Sequence, residues 1–173
     1  AVTYRARGHK KLMARFADQP EVYDKVGQVV FQPPGKVGLG VSGSVDMVMT
    51  FRQTHNWIRA GVEQEVFEAM HDVLKVGGVL GVVQHRAPAD WDAKAAAKKG
   101  YVPEQYIVEL ASSVGFELAG SSEINANPKD DKSHEKGVWT LPPVLALGDV
   151  DRDKYLAIGE SDRMTLKFVK KVD

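Results

Sequence analysis

Short apolar runs alternate with amphipathic stretches along this chain, and the alternation predicts an α/β fold. Residues 45–51 have the composition of a short strand and run directly into a polar cluster at residues 52–57. Residues 79–83 are apolar without polar alternation, which is typical of a strand covered on both faces in a parallel sheet. That run ends in Gln84, His85 and Arg86. Two strand ends are therefore expected to direct polar side chains toward one site.

Helical periodicity predicts the elements around these strands. Residues 61–74 carry one apolar stripe, formed by Val66, Phe67, Met70, Val73 and Leu74, and Gly77 with Gly78 stops the helix. Similar patterns predict helices at residues 9–17, 103–114 and 151–158, and strands at residues 28–32, 116–119 and 164–169. Residues 87–100 are predicted to be a solvated connector, with a mobile lid as the alternative. The strand, helix, strand order implies a right-handed crossover.

Composition narrows the classes of function. The 173 residues, 43% of them hydrophobic, are enough to form the core of one domain. Lys and Arg (23) balance Asp and Glu (23), so no global field favours nucleic acid or an anionic membrane, and a small ligand is expected instead. The absence of cysteine excludes disulfides, thiolate metal sites and cysteine nucleophiles.

No apolar run approaches the roughly 20 residues that span a bilayer, and the first residues lack the apolar core of a signal peptide. We therefore expect a soluble chain, either cytoplasmic or exported after removal of an upstream signal.

Several strings resemble one bacterial group of predicted class I S-adenosylmethionine-dependent methyltransferases of unknown substrate. They are FRQTHNW (51–57), GYVPEQY (100–106), SSEINANPKD (121–130), GVWTLPP (137–143) and YLAIGESDRMTLKFVK (155–170). The resemblance implies a Rossmann-like sheet, mostly parallel with an antiparallel last strand. It also implies S-adenosylmethionine as cofactor and methyl transfer to a small polar or aromatic substrate.

The same resemblance implies a Gly-rich cofactor loop and two strands before the helix at residues 9–17, and this sequence contains neither. In that family the first two strands lie between the third and the fourth, so we expect a gap in the sheet with unpaired edges. The expectation is a single methyltransferase-like domain over residues 1–173, incomplete at its N-terminus and derived from a longer protein. Cofactor binding is expected if the upstream loop exists, and exposed edges favour a homo-oligomer.

Ligands of doubly wound sheets bind at the carboxyl ends of the strands, which places five segments of this chain on one rim. The resemblance implies that Gln32, Pro33, Thr50, Phe51 and Arg52 approach the cofactor. The predicted catalytic residues are His55, His85 and Arg163, with His55 as the preferred general base because imidazole titrates near neutral pH. The predicted substrate-binding residues are Asn56, Trp57, Arg86, Asn125, Asn127 and Trp139.

Structural roles compete with these assignments. Each histidine is compatible with a purely hydrogen-bonded role, and Arg52 and Arg86 are compatible with ion pairs to Glu123, Glu160 or Asp162. A metal site from His55, His85, His134, Asp130 and Asp131 lacks a recognisable ligand spacing, so no metal is predicted. The alternative to an enzyme is a non-catalytic protein that binds a ligand or partner on a methyltransferase scaffold.

Overall fold

A mixed sheet lies at the centre of the structure, a computed structural model that describes residues 2–3 and 6–171, with side chains from residue 8 onward. The strands are β1 (Val2–Thr3), β2 (Val29–Val30), β3 (Val45–Phe51), β4 (Leu74–Ala87), β5 (Val102–Pro103), β6 (Phe116–Ser122) and β7 (Arg163–Lys170). The helices are α1 (Ala6–Asp18), α2 (Pro20–Tyr23), α3 (Thr54–Ala60), α4 (Glu63–Val73), α5 (Ala93–Lys98), α6 (Glu104–Ser113) and α7 (Arg152–Ile158), with a 3₁₀ helix at Gly137–Thr140.

The main sheet has the strand order β3-β4-β7-β6, and β5 pairs with the end of β4. β3 and β4 are parallel. β7 runs antiparallel to both β4 and β6. The predicted antiparallel last strand is confirmed, and its first residue therefore lies at the same edge of the sheet as the ends of β3 and β4.

A break separates this sheet from a second, two-stranded one. β1 and β2 pair with each other in parallel, and within the described residues no strand pairs with the second edge of β3. Met47, Met49 and Phe51 alternate along that strand and are 56%, 56% and 51% exposed. This open edge agrees with the expected gap. The strands expected upstream and the expected self-association stay predictions.

The core forms between the sheet and the helices that precede its strands. The apolar stripe of α4 is buried as its periodicity predicted, at Val66, Phe67, Met70 and Val73. α6 buries Ile107, Leu110 and Ala111 in one cluster with Val66, Phe67 and Met70. None of the helices in the described part of the chain has the length and apolar composition needed to cross a bilayer.

Three local predictions differ from the structure. The polar segment after β3 is helical from Thr54, and Gly61, with a φ of 68°, ends that helix before α4 begins. β4 starts at Leu74, so Gly77 and Gly78 lie inside a long strand next to a register shift against β3. The connector at residues 87–100 contains α5, which Asp92 caps by accepting a hydrogen bond from the Ala95 N–H at 2.8 Å. Its three alanines at positions 93, 96 and 97 are buried, so this segment is packed rather than solvated.

Candidate active site

A cleft of about 270 Å³ opens where β3 and β4 end and β7 begins. One wall comes from the residues that follow β3, which are Phe51, Arg52, Gln53, His55 and Asn56, together with His85 of β4. The facing wall comes from Val138, Trp139, Pro142, Pro143 and Val144. Glu160, Ser161 and Arg163 line it beside the start of β7. The parallel and antiparallel pairing of β4 is what brings these distant segments together.

His55 lies in the first turn of α3 and is 4% exposed. Its Nδ1 atom is 3.2 Å from Nε2 of Gln84, a fully buried residue at the end of β4. Burial lowers the pKa of His55 to about 4, because a charged imidazole loses its hydration there. His55 is therefore neutral at physiological pH.

His85 lies next to Gln84 in the sequence and 5.8 Å from His55 between ring centroids. Its Nδ1 atom is 2.5 Å from Oγ of Ser161, which arrives just before β7. Burial, reinforced by the charges of His55, Arg52 and Arg163, lowers the pKa of His85 to about 3. The cleft thus contains two neutral, hydrogen-bonded imidazoles side by side.

Arg52 turns the chain from β3 into α3. Its φ of 57° places it in the left-handed region, which costs a non-glycine residue on the order of 1 kcal/mol or more, and its N–H donates to the Val83 carbonyl at 2.7 Å. Arg52 lines the cleft, and across the described ranges its side chain has no ion-pair partner. Strained backbone of this kind clusters at active sites and ligand-binding segments.

Arg163 and Glu160 form an ion pair within the cleft wall. This pair leaves the wall near β7 close to neutral. Asn125 lies alongside, where it lines a neighbouring depression with Arg52 and Arg163 and donates a hydrogen bond to Thr165 Oγ1 at 2.8 Å.

The facing wall is positioned by close backbone packing between two loops. Gly137 has a φ of 57°, and a Cβ atom on it would overlap the carbonyl oxygen of Lys99. The Val138 N–H donates to that same oxygen at 3.0 Å. This contact brings Trp139 edge-on against His55, with 5.8 Å between ring centroids. Trp139, which the sequence predicts to contact substrate, lies in the cleft.

Other predicted substrate residues lie outside the cleft. Arg86 is bound by three carboxylates, those of Glu123 at 2.6 Å, Asp162 at 3.1 Å and Glu104 at 3.4 Å. The hydrogen bonds that Arg86 donates to Glu123 and Asp162 raise its pKa above the usual range. The side-chain amide of Asn127 donates to the carbonyls of Ile158 and Glu160. The ion pairs of Arg86 with Glu123 and Asp162 match the structural alternative considered for that residue.

Trp57 and Thr50 lie on a separate apolar groove of about 360 Å³ beside the end of β3. Trp57 is 7% exposed and packs edge-on against Phe67. The groove also includes Phe31, and it shares Phe51 and Gln53 with the cleft. Gln32 and Pro33 follow Phe31 in a tight turn closed by a backbone bridge from Gln32 to Lys36. Of the predicted cofactor residues, Thr50 lies in the groove, Gln32 and Pro33 lie next to it, Phe51 lines both the groove and the cleft, and Arg52 lines the cleft.

Asp130 and His134 come together away from the cleft. Oδ1 of Asp130 contacts Nε2 of His134 at 2.9 Å, and the carboxylate also accepts hydrogen bonds from the Tyr101 hydroxyl and from the Asp162 N–H. The acceptor positions of the Asp130 carboxylate are occupied by these donors. The cluster therefore holds the long loop after β6 against the sheet.

Gln84 and Ser161 lie on the rim predicted from the sequence, which gave neither of them a role, and the wall formed by Val138 and residues 142–144 was not predicted. Gln84 directly follows an apolar run in the sequence, and this position is the signal that the side chain is buried beside the neighbouring imidazole. The wall residues belong to a loop without periodicity, and nothing in their spacing predicts a position opposite β3.

The fold matches solved structures of methyltransferases. The geranyl diphosphate C-methyltransferase of Streptomyces coelicolor, solved with Mg²⁺, geranyl diphosphate and S-adenosyl-L-homocysteine, superposes with a TM-score of 0.62 at 12% identity over 98% of this chain and 62% of its own. A SAM-dependent methyltransferase from Methanosarcina mazei superposes with a TM-score of 0.60 at 12% identity over 99% of this chain and 81% of its own. The [4+2]-cyclase SpnF superposes with a TM-score of 0.60 at 14% identity, over 92% of this chain.

The chain spans only 61% of the length of SpnF and 62% of that of the Streptomyces enzyme. A scan against protein-family models and a search of curated proteins found no match. At these identities the likeness establishes the fold, and this chain has the class I methyltransferase fold.

Proposed function

We propose that this chain transfers a methyl group from S-adenosylmethionine to a small polar or aromatic molecule bound in the cleft. The observation that carries the proposal is the position of the cleft. It lies at the carboxyl ends of two parallel strands in a methyltransferase fold, which is where ligands of such sheets bind. Fold alone does not determine which reaction a protein catalyses. The proposal therefore also rests on the apolar groove that adjoins the cleft.

The groove suits the donor. Phe31, Phe51 and Trp57 supply apolar surface for a purine, and Oγ1 of Thr50 is buried with no hydrogen-bond partner in the described part of the chain. An unsatisfied buried hydroxyl is costly, so a ligand that bonds to it is favoured. Because the groove and the cleft share Phe51 and Gln53, donor and acceptor would meet at these residues.

S-adenosylmethionine supplies an activated methyl group, which leaves alignment and exclusion of water to the protein. Trp139 and Pro142 cover the cleft opposite His55 and His85. The two imidazoles are neutral at physiological pH, since burial holds their pKa values at about 4 and about 3. Such weak bases contribute mainly by orienting the acceptor through hydrogen bonds.

Calorimetric titration with S-adenosylhomocysteine tests the donor site. Binding is expected, and Phe51→Ala is expected to weaken it by about tenfold, because an aromatic contact to the ligand is lost. Leu156→Ala is the matched control, since Leu156 is 49% exposed on α7 and lies outside the groove. Absence of binding, or equal affinity in the Phe51 and Leu156 variants, would contradict the proposal.

A further inference from the structure

We propose that the cleft holds its substrate by an oxyanion, such as a carboxylate, placed between the Nε2–H of His55 and the guanidinium of Arg52, and that Gln84 is the positioning residue that fixes the donor. The inference rests on the proposed function for the reaction, but the ligand chemistry follows from the cleft alone.

Gln84 determines which nitrogen of His55 carries the proton. Its Nε2 atom donates to the Gly100 carbonyl at 2.9 Å and lies 3.2 Å from Nδ1 of His55. An amide NH₂ has two hydrogens, which matches these two acceptors. The opposite amide orientation would place an oxygen against the Gly100 carbonyl, two acceptors in contact inside the core. Nδ1 of His55 therefore accepts a hydrogen bond.

A neutral imidazole carries one proton, so acceptance at Nδ1 places that proton on Nε2. Burial keeps the ring neutral, with a pKa of about 4. His55 lines the cleft, so it offers a hydrogen-bond donor there rather than a lone pair. A substrate group that meets this nitrogen must be an acceptor. The general-base role expected from sequence is thereby disfavoured for Nε2.

The charges around the cleft favour an anionic acceptor. Glu160 is paired with Arg163, and His85 is neutral with its Nδ1 bonded to Ser161. Arg52 is the cleft cation without a carboxylate partner in the ranges that the structure covers. An arginine and a fixed N–H donor that line the same small cleft complement an oxyanion, for which charge-assisted bonds are about twice as strong as neutral ones.

Trp139 provides a second contact for the organic part of such a ligand, since it lines the same cleft against His55. A volume of about 270 Å³ suits a compact molecule rather than a peptide or nucleic acid. Benzoate combines a carboxylate with an aromatic ring, and benzamide has the same shape without the charge. This pair of probes separates recognition of charge from recognition of shape.

Both probes should be titrated into the protein at low ionic strength, with ring and indole resonances of His55 and Trp139 followed by NMR. Benzoate is expected to bind at least about tenfold more tightly than benzamide. Arg52→Gln should remove that preference. Arg152→Gln deletes an equal charge from exposed α7 and should leave it intact. Equal affinity of wild-type protein for the two probes would overturn the proposal.

The nitrogen-15 shifts of the His55 ring test the positioning role. In the wild-type protein at pH 7, the proton is expected on Nε2, and Gln84→Met should allow the Nδ1–H form to appear, a change that a purely structural role for Gln84 would not produce. A wild-type proton on Nδ1 would overturn the inference without any variant. Failure of S-adenosylhomocysteine binding with a normal benzoate response would instead contradict only the methyltransferase proposal.

Discussion

At the scale of single residues, burial of His55 and His85 makes the stability of the fold depend on pH. Both rings stay neutral in the folded protein, where their pKa values are about 4 and about 3. In the unfolded chain a histidine titrates at about pH 6.5. As pH falls below about 6.5 the unfolded state therefore binds more protons than the folded state, and the free energy of unfolding decreases.

Urea unfolding at pH 8 and pH 5 measures this effect. Each histidine should lower the free energy of unfolding by on the order of 2 kcal/mol at pH 5. The double variant His55→Gln, His85→Gln should lose most of the difference between the two pH values. If the double variant kept the full pH dependence, the buried, neutral state of His55 and His85 would not be its cause.

Asp162 does not contribute to the change in stability between pH 8 and pH 5. Burial opposes its ionisation, but hydrogen bonds from Arg86 and from the Asn127 N–H hold the pKa of Asp162 below its usual value. A carboxylate with a lowered folded pKa loses its stabilising contribution only as pH falls below about 4. Its titration is therefore separated from that of the two histidines.

Asp130 is the second residue with a large expected effect, because it is 1% exposed and satisfies donors from three segments. Asp130→Ala should lower the free energy of unfolding by about 3 kcal/mol, since several buried donors lose their acceptor. The control is Asp131→Asn, an exposed neighbour expected to change stability by about 0.5 kcal/mol or less. Equal effects of the two variants in urea unfolding would contradict the stapling role.

At the scale of elements, Arg86 joins the end of β4 to the first turn of α6, to the residue after β6 and to the residue before β7. Arg86→Lys should still lower the free energy of unfolding by about 2 kcal/mol, because an ammonium cannot reproduce the forked hydrogen bonds to Glu123 and Asp162. Lys75→Ala breaks the exposed pair with Asp46 and should cost about 0.5 kcal/mol or less. Comparable losses in the two variants would show that the Arg86 network is not structural.

The same scale shows what the sequence could predict. Periodicity located α4, α6 and β7, because their apolar stripes face the core. The positions of His55, His85 and Arg163 in one cleft followed from strand direction. Trp139 was named without its position, because the Gly137 contact with Lys99 joins loops that carry no periodic signal. Ion pairing of Arg86 depends on three partners far apart in the sequence, so spacing alone left it undecided.

At the scale of the whole molecule, the cleft and the groove are two compartments built on neighbouring strand ends, and they meet at Phe51 and Gln53. The groove borders the open edge of β3, whereas the cleft is closed by the loop that carries Trp139. In the proposed function, the apolar compartment binds the methyl donor and the polar one binds the acceptor.

An NMR footprint of S-adenosylhomocysteine on the nitrogen-15-labelled protein tests that division most directly. The amides of Thr50 and Gln53 and the indole of Trp57 should shift on titration, while those of Val169 and Lys171, at the opposite end of the sheet, should not. Shifts confined to the opposite end, or no shifts at saturating ligand, would contradict the assignment of the groove to the donor.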